Sequence, residues 1–147
     1  MKLRSITTFL FFYFLISCAT RQSEPYVTVD SVSVNAFTSS VELLITDIKF
    51  LEEEILKINA KNPSVQRILV NSDTYLQAGK LIQANSELER ALRITKEEGA
   101  IYLRLAHLRL MQGLLEESKS FAIKALLVKE ISSWERLLLN VYLKGPR

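Results

Sequence analysis

The chain has 147 residues, of which 48% are hydrophobic and 24% charged, and a formal net charge of +3. This length and composition predict one compact domain once the chain ends are set aside. Residues 1–17 hold Lys2 and Arg4 but no acid, so the remainder carries only one more basic than acidic side chain. A nearly neutral chain has no overall field that favours nucleic acid, so we expect no nucleic-acid partner.

The N-terminus has the form of an export signal. Lys2 and Arg4 precede an apolar run over residues 6–16. This run is shorter than the roughly 20 residues that a membrane-spanning helix needs, and it suits a cleaved signal. We therefore predict a signal peptide over residues 1–17.

A short motif ends this signal. Its residues are Leu15, Ile16, Ser17 and Cys18. The motif resembles the lipobox of bacterial lipoproteins, in which the peptide is cut before the cysteine and the thiol carries lipid. The resemblance implies lipidation of Cys18, with acyl chains such as palmitate, and a membrane contact through the lipid. The alternative is an uncleaved hydrophobic anchor in which Cys18 is only a small residue.

Cys18 and the residue after it bear on disulfide formation and on the location of the protein. Cys18 is the only cysteine, so no intramolecular disulfide can form. Ala19 follows it, where an aspartate favours inner-membrane retention in enteric-type Gram-negative lipoproteins. The resemblance thus implies a protein anchored by lipid in the outer membrane, on its periplasmic side; a Gram-positive source would change that location.

Residues 18–37 are predicted to be a flexible tether. Residues 26–34 alternate weakly between apolar and hydroxyl side chains, but no second strand elsewhere can pair with them. An extended segment of this length reaches at most about 60 Å from the lipid.

An amphipathic helix is predicted over residues 38–62. Ser39 and Glu42 have the spacing of a capping box at its start. Apolar residues then recur at spacings of three and four: Val41, Leu44, Ile48, Leu51, Ile55 and Ile58. This seam favours a helix that caps the repeats that follow, and the alternative is a homodimeric coiled coil through residues 41–58. We favour the cap because two repeats alone leave apolar faces exposed at both ends.

An internal period of about 34 residues organises the rest of the chain. The matching pairs are Leu69 with Leu103, Leu76 with Leu110, Gly79 with Gly113, Leu81 with Leu115, Ser86 with Ser120, Ala91 with Ala125 and Leu92 with Leu126. Two copies result, residues 65–98 and 99–132. Each is predicted to be a pair of helices, A and B, with the first A helix starting at Asn62 and Pro63 and its turn at Gly79.

The copies resemble the tetratricopeptide repeat. The first matches the usual hydrophobic, small or turn positions of that family with Ile68, Ser72, Tyr75, Gly79, Ala84, Leu88 and Ala91. The second does so with Tyr102, Leu105, Ala106, Gly113, Ser118, Ala122 and Ala125. Asn71 and Arg109 depart from the usual leucine and tyrosine, and Lys96 and Glu130 replace the closing proline. The resemblance covers residues 65–132 and implies an all-α array of two degenerate repeats.

A C-terminal capping helix is predicted over residues 133–147. Ser132 and Glu135 have capping-box spacing, and an apolar face follows on Trp134, Leu137, Leu138, Val141 and Tyr142. We interpret Trp134 as a core residue, and the alternative is an exposed anchor for a partner.

The sequence offers little for catalysis. His107 is the only histidine, no second metal ligand of matching spacing accompanies it, and the four glycines form no phosphate loop. We therefore predict a protein that is not an enzyme and that holds no cofactor or metal.

Protein binding is the remaining chemistry. In tetratricopeptide proteins the A helices line a concave groove, and the resemblance places these residues there: Gln66, Val70, Asp73, Gln77, Leu103, Arg104, His107, Leu110 and Met111. Arg104 and His107 can donate to a partner's carboxylates or carbonyls, and the alternative for each is a solvated helix face. The resemblance also places Leu69 and Leu76 in this groove, and core burial is the alternative for Leu69 and Leu103.

Two functions follow from the resemblances and a third from the apolar seam. The first is an outer-membrane-anchored lipoprotein that acts as an interaction module in the cell envelope and activates a bifunctional peptidoglycan synthase, or penicillin-binding protein. The second is a pilotin-like assembly factor for a secretin subunit of type IV pilus or secretion systems. The third is a structural oligomer built on residues 41–58.

Overall fold

The computed structural model describes residues 31–145. The predicted signal peptide, Cys18, Ala19 and the first part of the tether lie outside these residues. The chain from Asn35 onward forms one compact unit. The described chain holds seven helices and no strand, which confirms the all-α prediction; they are α1 (Ser31–Thr46), α2 (Ile48–Leu56), α3 (Pro63–Gln77), α4 (Leu81–Ile94), α5 (Gly99–Met111), α6 (Leu115–Leu126) and α7 (Ser133–Lys144).

The N-terminal part departs from the prediction in two ways. Helix α1 already begins at Ser31, so residues 31–37 are helical rather than part of a tether, and the predicted capping box at Ser39 lies inside a helix. The helix is also broken at Asp47, whose extended backbone separates α1 from α2. The Asp47 carboxylate accepts from the backbone N–H groups of Lys49 at 2.9 Å and Phe50 at 3.2 Å, so this aspartate caps α2.

The sequence period is visible in the helix bounds. Helices α3 and α5 end at Gln77 and Met111, and α4 and α6 begin at Leu81 and Leu115, in each case one full period apart. Helix α7 begins at Ser133, one period after the start of α5 at Gly99. The described chain therefore contains two helix pairs, α3 with α4 and α5 with α6, followed by one helix in the register of a third.

The turns within the two pairs are equivalent. Gly79 and Gly113 have φ of 68° and 77°, a left-handed conformation that glycine adopts without strain. In the first turn Lys80 N–H donates to the Tyr75 carbonyl at 2.8 Å, and in the second Leu114 N–H donates to the Arg109 carbonyl at 2.8 Å. The predicted helix-ending role of both glycines is confirmed.

A hydroxyl bond joins the two helices of each pair at the same position. In the first pair Ser72 on α3 donates to the Ala84 carbonyl on α4 at 3.4 Å. In the second pair Ser118 on α6 donates to the Ala106 carbonyl on α5 at 2.7 Å. Ala106 is the repeat equivalent of Ser72, and Ser118 is that of Ala84, so the serine has changed helix while the bond is kept. All four residues are buried, which fits the close approach that small side chains permit.

The second pair has Arg109 at the position where the repeat pattern usually has tyrosine. Arg109 is partly buried, and its Nε lies 2.9 Å from the Glu117 carboxylate. Its Nη2 donates to Asn85 at 3.0 Å, and its guanidinium lies 5.7 Å from the Phe121 ring centre. The arginine therefore bridges α4, α5 and α6 where a tyrosine would pack.

Sequential helices pack against each other from α3 to α7, and α5 also contacts α2 and α7. The core runs through the array and includes Leu44, Leu51 and Ile55 from the predicted seam, each at most 1% exposed. Ile48 of the same seam is 44% exposed. Ile58 is partly buried against the core, so four of the six seam residues pack within their own chain, as a capping segment does. The three buried side chains cannot form a coiled coil in this conformation.

Helix α7 closes the described array. The Ser132 hydroxyl accepts from the Glu135 N–H at 3.1 Å and the Glu135 carboxylate accepts from the Ser132 N–H at 2.8 Å, which confirms the capping box. Trp134 is partly buried and packs against the core, which agrees with the core interpretation. The helix ends at Lys144, before Gly145 at φ 79°.

Candidate protein-binding surfaces

The face of the A helices predicted to bind a partner, here called the repeat groove, lies on α3 and α5. Helix α2 packs against α5 on this face. The side chains of α5 show the consequence, since every residue from 99 to 108 is buried. The chain therefore fills part of its own groove.

Arg104 fixes α2 in this position. Its guanidinium is 0% exposed and donates to both carboxylate oxygens of Asp73, from Nε at 2.6 Å and from Nη2 at 2.8 Å. Nη1 also donates to the carbonyls of Ile58 at 3.0 Å and Ala100 at 3.3 Å, and Nη2 lies 3.5 Å from the Leu56 carbonyl. Carbonyls at a helix C-terminus lack intrahelical donors and carry partial negative charge. Arg104 therefore ties the end of α2 to both A helices.

His107 forms a second internal link. Its Nδ1 lies 3.0 Å from the Tyr142 hydroxyl, and both side chains are almost fully buried. Its Nε2 lies 3.8 Å from the Glu52 carboxylate and has no hydrogen-bond partner among the described residues. The imidazole therefore has the Tyr142 hydroxyl beside Nδ1 and the Glu52 carboxylate on the side of Nε2. The imidazole thus connects α2, α5 and α7.

The pKa values of its neighbours reflect this arrangement. The His107 imidazole lowers the pKa of the Glu52 carboxyl below its ordinary value of 4.5, against the opposing effect of partial burial. Burial, with a smaller contribution from the Glu52 charge, raises the pKa of Tyr142 well above its ordinary value of 10.0. Glu52 is therefore ionised and Tyr142 neutral at pH 7, which suits one acceptor and one donor on either side of the imidazole.

The loop between α2 and α3 is also held internally. Gln66 accepts from the Ala60 N–H at 2.6 Å and donates to the Asn59 side chain at 2.9 Å. The buried Glu98 carboxylate accepts from the backbone N–H groups of Lys61 at 3.1 Å and Asn62 at 2.9 Å. These bonds leave Gln66 with a structural role in the described chain.

The expectation that Arg104 and His107 donate to a partner from an open groove is wrong for this conformation. Leu103 is 0% exposed, Arg104 0% and His107 1%. The polar groups of Arg104 are satisfied within the chain, and those of Asp73 and Gln66 are engaged with it as well. The physical reason is that α2 covers α5, so polar groups on this face find internal partners.

Four candidates remain at the surface. Val70 is 52% exposed, Met111 is 44% exposed, Gln77 is exposed and Leu110 is partly buried. Gln77 and Met111 are the last residues of α3 and α5, so they occupy equivalent positions one repeat apart. Leu69 and Leu76 are buried in the core, in agreement with the core-burial alternative for Leu69.

The burial of Arg104 had a signal in the sequence. Helix α5 carries apolar residues on all sides, including Ala100, Ile101, Leu103, Leu105, Ala106 and Leu108. A helix that is apolar all round is buried on every side, and its few polar residues must then pair internally. The position of the pairing partners, in contrast, depends on the tertiary packing of α2.

Two clefts lie outside the repeat groove. One, of about 620 Å³, is lined by Lys61, Asn62, Thr95, Lys96, Glu97, Glu98, Tyr102, Lys124, Leu127, Val128, Lys129 and Glu130. Its four cations and three carboxylates favour neither sign of ligand. The other, of about 530 Å³, lies between α1 and α7. No cluster of three metal-ligating side chains occurs in residues 31–145.

The fold and these surfaces define a class of protein, an all-α array of periodically repeated helix pairs with a capping segment in its own groove. Within the described range, every helix is too short or too polar to cross a bilayer. Comparison with known protein families, with curated proteins and with solved structures found no match.

Proposed function

We propose that this protein is a lipid-anchored module of the bacterial cell envelope whose tetratricopeptide-like array binds a protein partner. The observation that supports the proposal best is the equivalence of the two helix pairs, in helix bounds, turn bonds and hydroxyl bonds. Stacked helix pairs present extended binding surfaces and need no catalytic group to do so.

The lipid anchor rests on Cys18 and the residues before it. The chain between Cys18 and the start of α1 at Ser31 spans at most about 40 Å. This limit is shorter than the predicted tether because α1 begins early. The partner should therefore lie close to the anchoring membrane or extend toward it.

A bifunctional peptidoglycan synthase is the partner we propose, since it extends through the periplasm from the opposite membrane. Binding uses the exposed ends of the A helices, at Gln77 and Met111, together with Val70 about two turns earlier on α3 and Leu110 on α5. In this proposal, contact with the module is what activates the synthase.

Site-specific crosslinking in intact cells tests this function. A photoreactive residue at Gln77 or Met111 of the lipidated chain should crosslink to a penicillin-binding protein, identified by mass spectrometry. The matched control is Ser86, which is exposed on α4. Crosslinks to a secretin subunit would replace the synthase with the pilotin-like alternative, and equal crosslinking from all three positions would contradict a specific surface.

Lipidation is tested separately. Cys18→Ala should abolish incorporation of an alkyne-labelled fatty acid and release the protein from the membrane fraction, because only the thiol forms the thioether. The control Ser17→Ala keeps the cysteine and should retain the label. An unmodified thiol in the intact mass of the exported wild-type chain would refute the anchor.

A further inference from the structure

The cleft between α1 and α7, here called the α1–α7 groove, is not used by the proposed function. One wall is formed by Val41 and Ile45 of α1, and the other by Ser133, Arg136, Leu137, Asn140, Val141, Lys144 and Gly145 on or just after α7. Four of these side chains are aliphatic. The groove thus combines an apolar surface with a polar edge, as helix-binding grooves do.

The repeat register shows what kind of element fits this place. In both complete pairs the B helix crosses the A helix at one position, marked by the bonds at Ser72 and Ala106. The equivalent residue of α7, one period further on, is Asn140, which is exposed and lines the groove. The face of α7 that corresponds to a B-helix contact therefore borders the groove.

The charges of the groove indicate the character of that element. Its lining holds two cations, Arg136 and Lys144, and no carboxylate. Both are exposed, and neither forms an ion pair with a described residue. They stand just over two turns apart on α7, about 12 Å along the helix axis. Acidic side chains two turns apart on a docking helix would meet both cations.

We propose that the α1–α7 groove binds an acidic amphipathic helix of a partner protein, which takes the place of the B helix of a third pair. The inference rests on the proposed function in that the partner is a protein, and it adds the docking site and the chemistry of the docking segment. Apolar side chains of the partner helix pack between Val41 and Val141, and its carboxylates pair with Arg136 and Lys144. A second copy of this chain and an anionic membrane surface are the competing occupants.

The direct test uses two synthetic amphipathic peptides of the same length with identical leucine and alanine faces. One carries glutamate two turns apart on the flank, and the other carries lysine at those positions. Methyl NMR of the full-length chain in detergent should show saturable shifts at Val41, Ile45, Leu137 and Val141 with the glutamate peptide. The lysine peptide should bind at least about ten-fold more weakly, because it meets like charges.

Charge reversal provides the matched variants. Arg136→Glu with Lys144→Glu should reverse the peptide preference, and Lys144→Glu alone should weaken binding of the glutamate peptide. Arg67→Glu with Lys80→Glu changes two exposed cations elsewhere and should leave the preference unchanged. All of these positions are exposed, so unchanged circular dichroism and methyl dispersion are expected in every variant.

Several outcomes would overturn the proposal. They are absent binding, equal binding of both peptides, or methyl shifts confined to other sites. Self-association that Arg136→Glu with Lys144→Glu abolishes would assign the groove to a second copy. Shifts of the same methyls by phosphatidylglycerol vesicles, but not by the glutamate peptide, would assign it to the membrane.

This test and the crosslinking test fail independently. Loss of peptide binding with intact crosslinks from Gln77 and Met111 would refute the groove and leave the proposed function. Groove binding without those crosslinks would refute the proposed partner surface on α3 and α5 and leave the groove as the docking site.

Discussion

At the scale of single residues, buried polar side chains link helices to one another, although the sequence predicted that they lie on a partner-binding surface. Arg104 donates to one carboxylate and three carbonyls without any exposure to solvent. A buried pair of this kind is costly to break because the remaining charge has no solvent. Its role is to fix the position of α2, which a purely apolar contact would specify less strictly.

Breaking this pair should destabilise the protein strongly. We expect Arg104→Met to lower the free energy of unfolding by about 3–5 kcal/mol, since Asp73 is then left partly buried and unpaired. The double variant Arg104→Met with Asp73→Leu should recover part of this loss. Urea denaturation measures both, with Arg67→Met as an exposed control within about 0.5 kcal/mol of wild type. A single variant as stable as the control would show that the pair contributes nothing.

Tyr142 should control the alkaline limb of stability. Its pKa is raised in the folded state, so its contribution is complete below the ordinary pKa of 10.0 and is lost as pH rises toward the folded pKa. Tyr142→Phe should therefore flatten the fall in unfolding free energy between about pH 9.5 and 11. The same change should cost about 1–3 kcal/mol at pH 7, because His107 Nδ1 loses its partner. Parallel pH profiles for variant and wild type would contradict this assignment.

At the scale of elements, the two helix pairs show that a repeat preserves an interaction rather than a residue. The serine lies on the A helix in the first pair and on the B helix in the second, yet each hydroxyl reaches the carbonyl opposite. Both arrangements satisfy a buried hydroxyl at a close crossing, which small side chains permit.

Exchanging the serine between helices should therefore be tolerated. Ser118→Ala should cost about 1 kcal/mol through loss of its 2.7 Å bond to the Ala106 carbonyl. Adding Ala106→Ser copies the arrangement of the first pair and should restore part of this loss. Thermal unfolding measures the cycle, and the exposed Ser120→Ala is the control. If the double variant were less stable than Ser118→Ala, the two pairs would not be interchangeable.

At the scale of the whole molecule, the capping segment, which consists of α1 and α2, is part of the domain. Helix α2 ends on Arg104, and Leu44, Leu51 and Ile55 complete the core. Burying three such side chains contributes roughly 6 kcal/mol as an upper estimate, which is comparable with the stability of a small domain.

Removal of this segment should destroy cooperative folding. A chain that begins at residue 59 should bind the dye ANS and unfold without a sharp transition, whereas a chain that begins at residue 31 should unfold cooperatively. A synthetic peptide of residues 47–58 added to the shorter chain should restore part of the transition. Equal unfolding free energies for the two chains would show that α1 and α2 are dispensable.

The local features of the repeats were predictable from the sequence. The turns at Gly79 and Gly113, the cap at Asn62 and the capping box at Ser132 all occur where their residues predict. Each depends on contacts within a few residues, so a short stretch of chain contains the physical cause. The groove assignment of Arg104 and His107 failed because their partners lie far away along the chain, at Asp73 and Tyr142.

The sequence by itself determined the all-α class, the repeat period and the helix ends within the repeats, because propensity, capping and apolar spacing act locally. Tertiary structure alone decided that α2 occupies the repeat groove, that Arg104 and His107 are buried, and that α1 and α7 border a cationic groove. Those outcomes depend on which apolar faces meet across the chain, and the free energy of that packing is shared among segments far apart in sequence.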